Sequence, residues 1–252
     1  MPRTVDGKRA MGRGQVEARP LSLRPPGPGE APAALNLHAR ELGQPPAGGP
    51  GAQGRHAGRS VERYHRVFLE SPHAASIVAV EDRGAKVLGF LLASLDASAH
   101  RAFVLRRHGA WLAGRALARA VRGPGAYGPP QRARLEGLAP GTRPPVCPQC
   151  GIEGHVGGLA CVVIDPDWRG LGIGAALVRA YETQARRAGL KGLITTTHGW
   201  PEAAPFLTRL GWHAAGAAND RTRSGKVRGR SPEEGAGFYA RRLPGKARSG
   251  CR

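Results

Sequence analysis

Nowhere in the 252 residues do eighteen apolar residues run consecutively, so no segment reads as a membrane-spanning helix. Residues 1–15 include basic side chains but no apolar run of about seven, which argues against a secretory signal there. Cysteine is scarce. Of four, three cluster at Cys147, Cys150 and Cys161, a distribution suited to thiols or metal ligands in a reducing compartment rather than to a disulfide framework. A soluble cytoplasmic protein with no membrane partner is expected. Acidic residues are also few, 18 against 38 Lys and Arg, for a formal net charge of +20. Such a balance raises nucleic acid as a partner. Arginine outnumbers lysine, however, in a chain rich in Ala, Gly and Pro, a usage that a GC-rich coding background produces without any anionic partner. Residues 221–252 hold ten Lys or Arg against Glu233 and Glu234, which suits weak, unspecific contact with anions. Nucleic acid is not the favoured partner.

Ordered structure is concentrated after the first quarter of the chain. Of the first 60 residues, 20 are Gly or Pro, leaving little apolar surface to offset the entropy of ordering that stretch. We expect a disordered basic tail over 1–14 and one domain over 15–243. That domain includes a Gly-rich loop at 43–58 and a helical insertion with its loop at 98–145, and a basic tail follows at 244–252.

Within the domain, 15–24 reads as a short first strand and 30–42 as a helix. Ser60 can cap a helix in which Val61, Tyr64, Phe68 and Leu69 recur at helical spacing, ending before Pro72. The runs 76–80 and 86–94 flank Asp82-Arg83-Gly84, as in an antiparallel hairpin. From 100 to 122 apolar residues repeat amid arginines, as one broken or two short helices would. Leu159–Ile164 reads as a buried central strand. A helix follows from Ile173 to Ala188 with Gly189 as its left-handed cap, then a strand at 190–197, a short helix at 201–210, and strands near 212–215 and 238–243. Trp111, Trp168, Trp200 and Trp212 read as packing anchors. There is no internal repeat.

The chemistry-bearing stretch is 163–177. A strand ends in Asp165-Pro166 and turns through Gly170, Gly172 and Gly174 into a helix, whose first amides have no intrahelical acceptor. Backbone without Cβ lets an anion come close, and Arg169 adds charge beside it. This turn forms neither G-x-G-x-x-G nor G-x-x-x-x-G-K-[ST], so the usual dinucleotide and P-loop motifs fit it badly.

Val163-Ile164-Asp165-Pro166-Asp167-Trp168-Arg169-Gly170-Leu171-Gly172-Ile173-Gly174-Ala175 resembles the signature of GNAT-type acetyltransferases, V-x-P followed by [Q/R]-x-x-G-x-[G/A] and a helix. Ala203–Trp212, ending Arg209-Leu210-Gly211-Trp212, is similar to that family's second signature, A-x-x-F-Y-x-x-x-G-[F/W]. The resemblance implies an α/β (α+β) fold: a mixed, mostly antiparallel sheet, splayed between two central parallel strands at 159–164 and 190–197 and flanked by helices. It further implies an acetyl-CoA-dependent N-acetyltransferase acting on a primary amine of a small molecule or protein. Backbone of Val162, Val163 and Ile164 would pair with pantetheine. Arg169 and the amides of Gly170, Leu171, Gly172, Ile173, Gly174 and Ala175 would hold the diphosphate, and a main-chain N–H of the first splayed strand would steady the oxyanion.

The second signature departs from the family at one position: Leu207 stands where many relatives have a Tyr able to protonate the leaving thiolate, and Leu cannot donate a proton. Candidate bases are His155 and His198, with Glu153 and Glu202 beside them in sequence, since both strand ends are expected to face the amine. Leu207 keeps open a non-catalytic acyl-CoA-binding relative.

Cys147-Pro148-Gln149-Cys150-Gly151-Ile152-Glu153-Gly154-His155 resembles the start of a retroviral-type zinc knuckle, and Cys147, Cys150 and His155 are the candidate metal ligands. Five residues rather than four separate His155 from Cys161, so the fourth ligand is misplaced and zinc is not favoured. The cluster and the basic tails together define the remaining alternative, a nucleic-acid-binding protein.

Overall fold

A hairpin in the interior of the sheet is apolar on both faces, because each face is covered. The computed structural model describes residues 21–41, 62–81, 86–122, 155–197, 203–217 and 237–243. Strand β2 (Ala74–Glu81) pairs antiparallel with β3 (Val87–Ser94), and every residue of β3 is buried. An unbroken apolar run of this kind belongs inside a sheet with helices on both sides. Asp82-Arg83-Gly84 lies outside the described residues.

Five further strands complete the sheet: β1 (Leu21–Arg24), β4 (Val156–Ile164), β5 (Gly192–Thr196), β6 (His213–Ala217) and β7 (Gly237–Arg242). Their order is β1-β2-β3-β4-β5-β7-β6, with β4–β5 parallel and every other neighbouring pair antiparallel. This is the mixed sheet with one central parallel pair that the signature implies.

On one face lies α4 (Ile173–Arg187), whose Ile173, Leu177, Val178, Tyr181 and Ala185 pack on Ile77, Leu88, Leu91, Leu159 and Leu193. The apolar positions fall at helical spacing, so one stripe is buried. Burying a side chain such as Leu177 in full is worth about 2 kcal/mol. On the other face lie α1 (Glu30–Glu41) and α2 (residues 62–70), which cover Val78, Val80, Phe90, Leu92, Cys161 and Val163. The two helices are joined by a buried hydrogen bond of 2.7 Å between His38 Nδ1 and His65 Nε2, with the Phe90 ring against both.

The structure differs from the sequence reading at two points. The described part of the arginine-rich insertion is one continuous helix, α3 (Ala97–Arg122); the rest of the insertion lies outside the described residues. The first central strand begins at Val156, not Leu159. Gly158 reads as its boundary yet is interior, as is Gly157: a Cβ at Gly157 would strike the Tyr181 hydroxyl and lie 2.8 Å from the Ser94 carbonyl, so glycine permits close packing rather than a turn. β1 is described over Leu21–Arg24, and residues 15–20 of the expected first strand lie outside the described residues.

Trp212 is fully buried at the end of α5 (Ala203–Arg209), as a packing anchor should be. Trp168 is half-buried, Trp111 stacks beneath the Arg63 guanidinium at 5.2 Å, and Trp200 lies outside the described residues. No described helix is long and apolar enough to cross a membrane.

Candidate functional site

β4 and β5 separate partway along their length. They pair from Val156↔Gly192 to Leu159↔Thr195, where Thr195 Oγ1 donates to the Leu159 carbonyl at 2.8 Å. Beyond that point β4 runs on for five residues with β3 on one edge and no pairing to β5 on the other. The register against β3 shifts at the same place: Leu92 opposes Cys161 and Ala93 opposes Leu159, so Ala160 is an extra residue, a β-bulge. The bulge moves the side-chain alternation by one. Leu159 faces α4, Ala160 and Cys161 both face α1 and α2, and Val162 and Ile164 return to the α4 side. The edge of 160–164 that β5 leaves unpaired thus lines a wedge, where Val162, Val163 and Ile164 are expected to meet an extended ligand.

At the open end of the wedge the chain makes a 3₁₀ turn, Pro166–Trp168. Asp165 Oδ1 accepts from the Asp167 amide at 3.2 Å, and its carbonyl accepts from the Trp168 amide at 2.9 Å. Gly170 (φ 80°) and Gly172 (φ 81°) then adopt the left-handed conformation, and Gly172 is the N-cap of α4. The first bond into the helix is from the Ala176 amide to the Gly172 carbonyl, 3.0 Å, which leaves the amides of Ile173, Gly174 and Ala175 ahead of it without intrahelical acceptors. Neither a side-chain cap nor an acidic residue in the first turn compensates them. Capping side chains stabilise most helix starts by about 1 kcal/mol; a start that forgoes one and presents amides and dipole to open space is suited to an anion.

The three glycines differ in kind. Gly170 and Gly172 are required by φ, whereas a Cβ at Gly174 would make ordinary contacts with Phe206 at 3.5 Å and Ile164 at 3.7 Å. Leu171 projects from the loop half-exposed.

Charges gather at this end that sequence inspection missed. Arg169 donates from Nε to the Ile164 carbonyl at 3.3 Å and pairs through Nη2 with Glu41. Buried Asp165 Oδ2 lies 3.6 Å from Arg40 Nη2 and 3.5 Å from Lys86 Nζ, and that ammonium also sits 5.8 Å over the Trp168 ring. Arg40, Glu41 and Lys86 are remote from the loop in sequence, and no local signal connects them to it.

Of the candidate bases, only His155 is among the described residues. β4 and β5 run parallel, so the start of β4 and the end of β5 lie at opposite ends of the pair. His155 sits at the closed end, its carbonyl accepting from the Lys191 amide at 3.1 Å and its Nδ1 3.5 Å from Asp96 Oδ2. About 25 Å of strand separates it from the glycine loop. His198, Glu153 and Glu202 lie outside the described residues, and His198 follows Thr197 at the splayed end in sequence. Leu207 is buried in the core beneath α4. Tyr181 offers no acid in its place. Its hydroxyl donates to the Ser94 carbonyl at 2.8 Å, and burial raises its pKa far above the ordinary tyrosine value.

Cys147 and Cys150 lie outside the described residues. Cys161 faces the core between the sheet and α1, among Phe90, Leu92 and Val163, while exposed His155 stands beyond the far end of the strand. A tetrahedral zinc using Cys161 as fourth ligand does not fit this arrangement. Among the described residues no cluster of His, Cys, Asp and Glu could hold a metal ion.

Residues 134–212 match the model of the Acetyltransferase (GNAT) family. Solved structures with a similar course include a GCN5-related N-acetyltransferase from Kribbella flavida (18% identity, 88% of this chain and 98% of that one, TM-score 0.47). Others are GNAT-family acetyltransferases from Staphylococcus aureus (11%, 89% and 100%, 0.47) and Streptococcus pneumoniae (12%, 89% and 100%, 0.46). No curated protein matches the sequence.

Proposed function

We propose that this chain, which carries a GNAT-family acetyltransferase domain, transfers the acetyl group of acetyl-CoA to a primary amine of a small molecule or protein. The observation that supports the reading best is the start of α4, uncapped and opened by two left-handed glycines, set at the mouth of the β4–β5 wedge. A diphosphate satisfies the amides of Gly170–Ala175 and the charge of Arg169. Pantetheine then runs into the wedge along the free edge of Val162, Val163 and Ile164, which places the thioester near the bulge at Ala160.

The amine nitrogen attacks the thioester carbonyl carbon. A main-chain N–H near the bulge stabilises the oxyanion, the C–S bond breaks, coenzyme A leaves as its thiolate, and the nitrogen loses a proton. Binding and orientation by backbone do most of this work. For the proton, His198 is the better candidate of the two histidines, since it follows the splayed end of β5; His155 at the closed end is the poorer one. Water accepts the proton equally well in this scheme. The buried, non-ionising Leu207 favours departure of the thiolate unprotonated, and it also supports the second reading, an acyl-CoA binder without turnover.

Calorimetry with acetyl-CoA, followed by a thiol-release screen over amine panels, tests the proposal. Binding with thiol release supports the enzyme, binding without release from any amine supports the second reading, and well-folded protein with no affinity for acetyl-CoA eliminates both.

A further inference from the structure

Three elements deliver cations to the open end of the wedge: Arg169 from the glycine loop, Arg40 from the last turn of α1 and Lys86 from just ahead of β3. Two carboxylates hold them. Asp165 serves the architecture, since it is buried, caps the 3₁₀ turn and shares one oxygen between Arg40 and Lys86. Glu41 stands differently. It ends α1, caps no turn among the described residues, and meets Arg169 across the gap between helix and loop. Arg169 is itself fixed, because Nε is engaged by the Ile164 carbonyl and only the outer edge of the guanidinium remains for a charged partner. That edge is half-exposed, and Arg169 stands four positions ahead of the uncapped start of α4.

We propose that Glu41 is an internal competitor for the cofactor's diphosphate, occupying the Arg169 guanidinium until phosphate oxygens displace it. This rests on the acetyl-CoA reading above and adds to it a residue that sets affinity. A carboxylate and a phosphate present the same pair of oxygens to a guanidinium, so one side chain can exchange between them without moving its backbone. The phosphate prevails because it also collects the amides of Ile173, Gly174 and Ala175, which Glu41 does not reach. The exchange costs the protein one ion pair, so Glu41 weakens cofactor binding. Removing its charge is therefore a gain-of-affinity change.

The test is calorimetry on the full chain with three probes: coenzyme A, dephospho-coenzyme A and pantetheine. Glu41→Gln should bind both diphosphate-containing probes about threefold more tightly, the scale of an exposed ion pair, and pantetheine with unchanged affinity. In an Arg169→Ala background the same substitution should change nothing. A gain of affinity cannot arise from misfolding. If the wild-type chain binds coenzyme A while Glu41→Gln binds it equally or less well, the competitor role is overturned and the cofactor reading stands. Tightening that persists without Arg169, or that extends to pantetheine, overturns it too. If the wild-type chain binds no coenzyme A, both readings fall.

Discussion

The hydroxyl of Tyr181 donates to the carbonyl of Ser94 at 2.8 Å, tying the middle of α4 to the end of β3 across the face of β4. Gly157 lies directly between them. A Cβ added there would collide with that hydroxyl and approach Leu190 Cδ2 at 2.7 Å and the Ser94 carbonyl at 2.8 Å. Three chain segments far apart in sequence therefore meet at one point with no room to spare.

Tyr181→Phe should destabilise the protein by about 1–2 kcal/mol, because the buried Ser94 carbonyl loses its side-chain donor while packing is kept. Gly157→Ala should cost at least as much, about 1–3 kcal/mol of overpacking, and should cost less in the Tyr181→Phe background, where the closest atom is gone. Urea unfolding of both single variants and the double variant measures the coupling; simple additivity would refute it.

Gly172→Val and Gly174→Ala should separate conformation from space. At Gly172 the φ of 81° opposes any β-branched residue, so the amides of the helix start are redirected and coenzyme A affinity should fall at least about tenfold. At Gly174 the added methyl makes ordinary contacts, and affinity should change by less than about threefold. Calorimetry with circular dichroism as a folding control decides, and equal losses at the two sites would contradict the distinction.

Stability should fall on acidification through His100. Its Nδ1 is 2.8 Å from Ser71 Oγ, its Nε2 has no partner, and Phe68 packs on the ring. Burial first, and His73 second, lower its pKa from 6.5 to about 4. The unfolded chain therefore binds more protons than the folded one between these values, so the contribution is complete above pH 6.5 and is lost as pH falls towards 4. The full effect is up to about 3 kcal/mol. Buried His108, also lowered chiefly by burial, acts in the same direction. Thermal melts of wild type and His100→Asn between pH 4 and 7.5 should show a flatter pH dependence in the variant; parallel curves would assign the loss elsewhere.

Leu207→Tyr should not create a proton donor without cost. The side chain is 3% exposed in the core under α4, so the larger residue should destabilise by about 1–3 kcal/mol. Melting temperature and thiol-release rate together check this. A stable variant with raised thiol release would show instead that the position opens onto the thioester.

Much of this architecture was legible because local signals and tertiary roles agree. The apolar run of β3, the helical stripe of α4 and the glycine turn between β4 and α4 each state their structure within about fifteen residues, and the signature over 163–177 fixed the parallel pair. Where reading failed, the cause was contact at long range. Gly157 carries no local sign of its packing role, because its neighbour Tyr181 is 24 positions away. The placement of His155 at the closed end followed from strand direction, which no residue near it announces. Arg40, Glu41 and Lys86 were silent, since charged residues at a helix end or beside a hairpin turn have ordinary reasons to be there, and only the fold carries them to Arg169 and Asp165.

Ala160 has a reach beyond its own size. In the ladder with β3 it is the residue with no opposite number, so Leu159 and Cys161 keep the sides and the partners that a regular strand would give them. Were Ala160 instead drawn into strict alternation, Cys161 and Val163 would exchange sides with Val162 and Ile164, and the apolar stripe under α4 would be lost. A local outward kink at one small residue thus keeps two layers of packing in phase.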